Sequence, residues 1–178
     1  MPVEDVFDRG WGRGVLVTGL VERGRVRGGD TVAVVGGDGD AVVVIGAVET
    51  GDGPVLEASA GTSISVLLPG GTAVHRVQVL ASPGSIEAHR AFTAEITLLP
   101  EEDGGSVVRV GTEALVHLRT ALASGTVLPA SGTELRPGAS GRVAFTLDRP
   151  VALEKGQRVA IRLRGRAAGS GTVTRLGA

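Results

Sequence analysis

Apolar residues fall in short runs along this chain of 178 residues, and each run is closed by glycine, proline or aspartate. In the first half the runs are Val15 to Val21, Thr31 to Val35, Ala41 to Val48, Ser63 to Leu68 and Val74 to Ala81. In the second they are Phe92 to Leu99, Val107 to Val110, Ala114 to Thr120, Gly125 to Leu128, Arg142 to Leu147, Arg158 to Leu163 and Thr172 to Leu176. They are rich in Val, Ile, Leu and Thr, whose branched side chains suit a pleated surface. The residues between them are the turn formers that hairpins require. No window shows the apolar spacing of an amphipathic helix. About a dozen strands at this spacing, without helical crossovers, predict antiparallel barrels or sandwiches rather than a parallel α/β sheet.

Composition refines that picture. Apolar residues make up 42% of the chain, yet only three are Phe and one is Trp, so the cores must be aliphatic. The 29 glycines lie between runs without a three-residue period, which marks turns rather than a collagen-like repeat. An apolar run stops at Ser82-Pro83-Gly84, and the charge changes sign there: residues 1–83 carry 6 basic and 10 acidic side chains, residues 84–178 carry 12 and 9. This predicts two β-domains, 1–82 and 83–178, each of a size a single small core can hold. Asp38 to Asp40 and Gly51-Asp52-Gly53-Pro54 read as loops within the first.

Several classes of chemistry find no support. Without cysteine there is neither a disulfide framework nor a thiolate metal site. His75, His89 and His117 are scattered and lack partners at ligand spacing, as structural histidines do. No G-x-S-x-G turn frames a nucleophile. Gly10-Trp11-Gly12-Arg13-Gly14 has the glycines of a nucleotide loop but not its strand and helix, and reads as a hairpin turn. No GxxxxGK[ST] motif is present and Lys155 is the single lysine, so neither nucleotide hydrolysis nor any cofactor is expected. No apolar stretch approaches the roughly 20 residues that span a bilayer, and no signal-peptide pattern follows Met1, so a cytoplasmic, non-membrane protein is expected.

The order of short motifs adds a family. Val3-Glu4-Asp5-Val6-Phe7, Gly12-Arg13-Gly14, Val17-Thr18-Gly19 and Val21-Glu22-Arg23-Gly24 open the chain. Val66-Leu67-Leu68, Pro83-Gly84-Ser85-Ile86, Leu118-Arg119-Thr120, Pro137-Gly138, the run from Pro150 to Arg162, Gly165-Arg166 and Gly169-Ser170-Gly171 follow. In this order the sequence resembles the second and third domains of bacterial elongation factor Tu, with about one inserted residue near Trp11. The resemblance implies an all-β fold of two packed antiparallel six-stranded β-barrels. The family's GTPase domain has no counterpart in this sequence.

The resemblance also implies sites. In the family the second domain helps hold the aminoacylated 3' end of transfer RNA, through positions that match Glu4, Asp5, Phe7, Thr18, Glu49 and Ser63 here. Aromatic stacking and hydrogen bonds to base edges and hydroxyls are how single-stranded ends are bound. Phe7 could equally be a packing residue and the two acids exposed turn residues. This chain departs from the family after Glu49, where Thr50-Gly51-Asp52 supplies an acid in place of a basic residue, and at Ser63, which stands where the family has asparagine. In the third domain the family's Gly-Gly-Arg-His stretch reads Gly104-Gly105-Ser106-Val107, and its Gly-Tyr-Arg-Pro-Gln stretch is replaced around Gly111-Thr112-Glu113-Ala114. What remains is a stripe of arginines. Alternation on a strand from Gln157 to Arg164 places Arg158, Arg162 and Arg164 on one face with Ala160, and Arg166 lies nearby. Guanidinium groups match phosphate oxygens; a solvated face offset by Glu95 or Glu154 is the other reading.

These readings predict a non-catalytic binding module that engages transfer RNA or another translation component through barrel surfaces. Two alternatives stay open: a protein-interaction scaffold that kept the fold and lost RNA binding, and the C-terminal segment of a longer translational GTPase.

Overall fold

The computed structural model describes residues 1–10, 13–37, 39–130, 132 and 134–177. Trp11 and Gly12 of the expected Gly10–Gly14 turn, and Asp38 of the expected 38–40 loop, lie outside the described residues. The fold is all-β, with one 3-10 turn among the described residues, and it divides into two compact units, Met1–Glu87 and Ala88–Ala178.

The first unit contains β1 (Asp5–Asp8), β2 (Val15–Leu20), β3 (Arg25–Arg27), β4 (Thr31–Val35), β5 (Ala41–Val44), β6 (Ala47–Thr50), β7 (Gly53–Val55), β8 (Glu57–Ser59), β9 (Ser63–Leu68) and β10 (Val79–Ala81). Where one six-stranded barrel was expected, hydrogen bonds join these strands into a five-stranded sheet, β1-β2-β9-β6-β7, a three-stranded sheet, β10-β4-β5, and the pair β3-β8. One aliphatic core serves them all: Val17, Val34, Val48, Ala58, Val66 and Leu80 come from six different strands. The single run from Ala41 to Val48 splits because the chain changes sheets at Ile45-Gly46. The Ile45 N–H donates to the Asp30 carbonyl at 2.9 Å, and the next N–H, of Gly46, donates to Leu67 on the other sheet at 2.8 Å. The run from Val74 is likewise a strand only from Val79, because buried Gln78 holds the preceding turn. Its Oε1 accepts from the His75 N–H at 2.8 Å and its Nε2 donates to the Gly36 carbonyl.

The second unit contains β11 (Glu87–Leu98), β12 (Val108–Arg109), β13 (Thr112–Leu118), β14 (Ala121–Pro129), β15 (Glu134–Leu135), β16 (Ser140–Leu153), β17 (Arg158–Leu163) and β18 (Arg166–Leu176). Six of them close into a barrel in the order β11-β16-β14-β13-β17-β18. Strict alternation on β14, where Ala121, Ala123, Gly125, Val127 and Pro129 are buried and the residues between them exposed, is what a barrel wall requires. Inside, Phe92 and Phe145 stack with ring centroids 4.7 Å apart. A 3-10 turn, Glu101–Asp103, follows β11. His117, expected as a structural histidine, has a buried Nε2 with no hydrogen-bond partner among the described residues.

β12 and β15 pair beside the barrel, with Arg109 opposite Glu134. The Arg136 Nε donates to the Glu134 carboxylate at 3.0 Å and the Arg109 Nε at 3.3 Å. The Arg136 hydrogen bond, aided by the charges of both arginines, holds the Glu134 carboxyl below the usual glutamate range. A depressed folded-state value means that the interaction is present above the unfolded carboxyl's range and is lost as pH falls through the folded value. NMR titration of Glu134 should therefore give a midpoint below that of an unperturbed glutamate, moving up in Arg136→Ala. An unmoved midpoint in that variant would exclude the Arg136 bond as the cause.

Candidate functional site

The outer face of the five-stranded sheet gathers most of the residues expected at a 3'-end pocket. Val17, Val48 and Val66 point into the core, so their strand neighbours face outward. Register then sets a polar row across four strands: Asp5 opposite Thr18, Thr18 opposite Ser65, Ser65 opposite Glu49. Two residues along each strand runs a second, apolar row of Phe7, Leu16, Leu67 and Ala47. Phe7 is 52% exposed, which removes it from the core-packing role.

Beside the polar row is an open cleft of about 260 Å³ lined by Glu4, Thr18, Gly19, Thr50, Gly51, Ser63, Ile64 and Ser65. Of the six expected positions, Glu4, Thr18 and Ser63 form its wall; Asp5, Glu49 and Phe7 stand on the same face outside that wall. The Glu4 N–H donates to the Thr18 carbonyl at 2.9 Å, which fixes the chain at the cleft entrance. The cleft also needs Gly19: a Cβ there would collide with the Pro2 carbonyl and lie 2.9 Å from the Met1 Cγ. Thr50 and Gly51 come from the β6–β7 hairpin, in which Thr50 is opposite Gly53 and the Thr50 hydroxyl donates to the Gly53 carbonyl at 3.3 Å.

Sequence reasoning missed Ser65, Gly19 and Ile64 in this wall, and it took Thr50 and Gly51 only as part of the departure after Glu49. The first was legible, since period-two alternation on β9 places Ser65 with Ser63. It also missed Arg76, whose guanidinium forms an ion pair with the Asp5 carboxylate from the loop before β10. No motif signals that contact, because 71 residues separate the partners.

The arginine stripe is corrected in one member. β17 alternates as expected, with Arg158, Ala160 and Arg162 exposed and Val159, Ile161 and Leu163 buried. Arg164 is not on the strand. Leu163 pairs with Arg166, and the two residues between them have left-handed φ of 47° and 79°, the form a two-residue hairpin turn demands. The Arg162 guanidinium donates back to the Gly165 carbonyl at 2.8 Å. Arg158 sits opposite Thr172, which is itself opposite Glu95, so the acid shares the row one strand away. Glu154 forms an ion pair with Arg119. Arg158, Arg164 and Arg166 form no ion pair among the described residues.

A comparison with family models matches residues 85–177, which make the whole barrel, to the elongation factor Tu C-terminal domain. That domain is a non-catalytic barrel. The match covers just over half of the sequence, and the chain belongs to the elongation factor Tu C-terminal domain family.

Proposed function

We propose that this translation-related, elongation factor Tu-like chain is a non-catalytic binding module that engages the aminoacylated 3' end of transfer RNA through its first unit, the counterpart of the family's second domain. The observation that carries this reading is the convergence of Glu4, Thr18 and Ser63 on one open cleft, beside a row holding Asp5 and Glu49 and a row holding exposed Phe7. Carboxylates accept from a free amino group, hydroxyls exchange hydrogen bonds with ribose, and an exposed ring offers a base a stacking partner. Such a site works by positioning. Neither a bound nucleotide nor a cofactor enters it, and the setting would be cytoplasmic.

Labelled aminoacyl transfer RNA should bind more tightly than the uncharged form, and Glu4→Gln with Thr18→Val should remove most of that preference, by about tenfold, because charged hydrogen bonds are each worth roughly 1.5–3 kcal/mol. Equal binding of the two forms by the native chain would defeat the reading. A second reading, a protein-interaction scaffold, draws on the ion pair of Arg76 with Asp5, which already engages an acid of the polar row beside the cleft. Pull-down after nuclease treatment separates the two: partners that vanish support RNA, and partners that persist support the scaffold.

A further inference from the structure

In the first unit β9 turns away before it covers β5. Where the chain passes from β5 to β6, the Ile45 N–H donates to the Asp30 carbonyl beside β4, and the Gly46 N–H donates to the Leu67 carbonyl on β9. Backbone groups alternate in direction along a strand, so Val44 and Val42 also turn their N–H and C=O groups to the β9 side. Leu67 stands opposite Ala47, and a β9 that ran on in register would step back along β5 from there. It ends at Leu68 instead. The Pro69 carbonyl accepts from the Thr72 N–H at 3.3 Å and from the Thr72 hydroxyl at 2.7 Å, which takes the chain out of the ladder. No described strand pairs with that side of β5, and the side chains of Val42 and Val44 are exposed beside the open groups.

We propose that this open edge takes an extended segment of another protein as an added strand. The segment runs antiparallel to β5, lays β-branched side chains over Val42 and Val44, and points a lysine or arginine at Asp40. Strand addition draws affinity from main-chain hydrogen bonds and selectivity from alternate side chains, and Val42 and Val44 each offer one donor and one acceptor. The charge of the partner follows from what flanks the strand. Asp40 is exposed immediately before β5; one carboxylate oxygen accepts from the Gly36 N–H at 3.2 Å, and it forms no ion pair among the described residues. Residues 1–83 carry 10 acidic and 6 basic side chains, a field that favours a basic segment. A second copy of the chain would bring the same acidic excess, and an edge of 4 residues buries too little surface to join two folded copies. The proposal goes beyond the 3'-end reading and does not depend on it, since no residue of β5 lines the cleft.

The test uses the full chain, isotope-labelled for NMR, and an amidated peptide of alternating threonine and valine whose last residue is lysine. The peptide should bind and slow amide exchange at Val42 and Val44, leaving Val43, already in the β4 ladder, unchanged. At low salt it should bind about threefold more tightly than the same peptide ending in glutamate, and Asp40→Asn should erase that preference. Val44→Pro removes an outward N–H without touching the β4 ladder, a change an edge strand accepts, and should abolish binding of both peptides. A peptide N-methylated at the amides that face β5 makes the same cut with the protein unaltered, and it should not bind. Absence of binding by the native chain, or binding that leaves the Val42 and Val44 amides exchanging freely, would overturn the proposal. Protection of those amides that grows with concentration of the chain alone would overturn it too, since a second copy would then hold the edge.

Discussion

Alanine at Gly171 is expected to cost the second unit roughly 4 kcal/mol or more, enough to unfold a domain of ordinary stability. Gly171 lies in β18, opposite Ile96 on one side and Val159 on the other. A Cβ there would fall inside the van der Waals shell of the Glu95 carbonyl oxygen, and 2.8 Å from both the Glu95 carbonyl carbon and the Ile96 Cδ1. The obstruction is backbone, held on both sides by ladder hydrogen bonds, so it cannot swing aside as a side chain would. Gly169 and Gly125 meet carbonyl oxygens of their neighbouring strands in the same way, which shows that close strand approach recurs around the barrel. Gly165 provides the control. It has a φ of 79° with nothing within 4 Å of a Cβ, so alanine there should cost only about 1 kcal/mol of conformational strain. Urea denaturation of the two variants, followed by circular dichroism and amide exchange, separates the effects. Similar midpoints would mean that the barrel breathes enough at β18 to accept a methyl group.

Arg119→Met is expected to be the next most damaging change. Arg119 occupies the two-residue turn between β13 and β14 with a φ of 54°, and its side chain is only 11% exposed. One end of its guanidinium forms an ion pair with Glu154 and the other donates to the Gln157 Oε1 at 2.6 Å. Methionine would fill much of the volume and leave a half-buried carboxylate without that donor. Removing one partner of a buried pair typically costs 3–5 kcal/mol; Glu154 is 28% exposed, so solvent reduces this to about 2–3 kcal/mol. Adding Glu154→Gln should restore part of the loss, because the stranded charge is gone. If the double variant melts no higher than the single one, the damage lies in lost packing rather than in the uncompensated carboxylate.

Those two residues also mark what the sequence could and could not reveal. Arg119 and Gly171 both fall within motifs that carried the family resemblance, yet neither role follows from a motif; each requires knowing what stands across the ladder. Strand existence was legible because apolar runs closed by turn formers are a local signal: Thr31–Val35, Ser63–Leu68 and Arg158–Leu163 appear in the structure with the bounds their runs suggest. Short polar strands such as Arg25–Arg27 and Glu57–Ser59 were not, since each holds a single apolar side chain, Val26 and Ala58. The shift of the chain between sheets at Ile45-Gly46 was equally hidden, because both sides of the break are apolar and only the hydrogen bonds distinguish them. For the cleft, resemblance supplied Glu4, Thr18 and Ser63, alternation along β9 could have added Ser65, and register was needed to set Asp5 and Glu49 beside the wall. Arg164 was misplaced because alternation assumes that the strand continues, whereas a pair of left-handed residues ends it.

Closure of the second unit's barrel has a further consequence for how the chain behaves in crowded solution. A sheet that closes on itself offers no row of unpaired amides to another molecule, whereas an open edge is a template for intermolecular pairing. In the first unit β5 is such an edge, bonded among the described strands to β4 alone, and it carries Val42 at 63% and Val44 at 50% exposure. The acid at Asp40, immediately before the strand, is the kind of gatekeeping charge that keeps an exposed apolar edge from nucleating aggregates. The half of the molecule with the open cleft is thus also the half in which the sequence must guard against self-association.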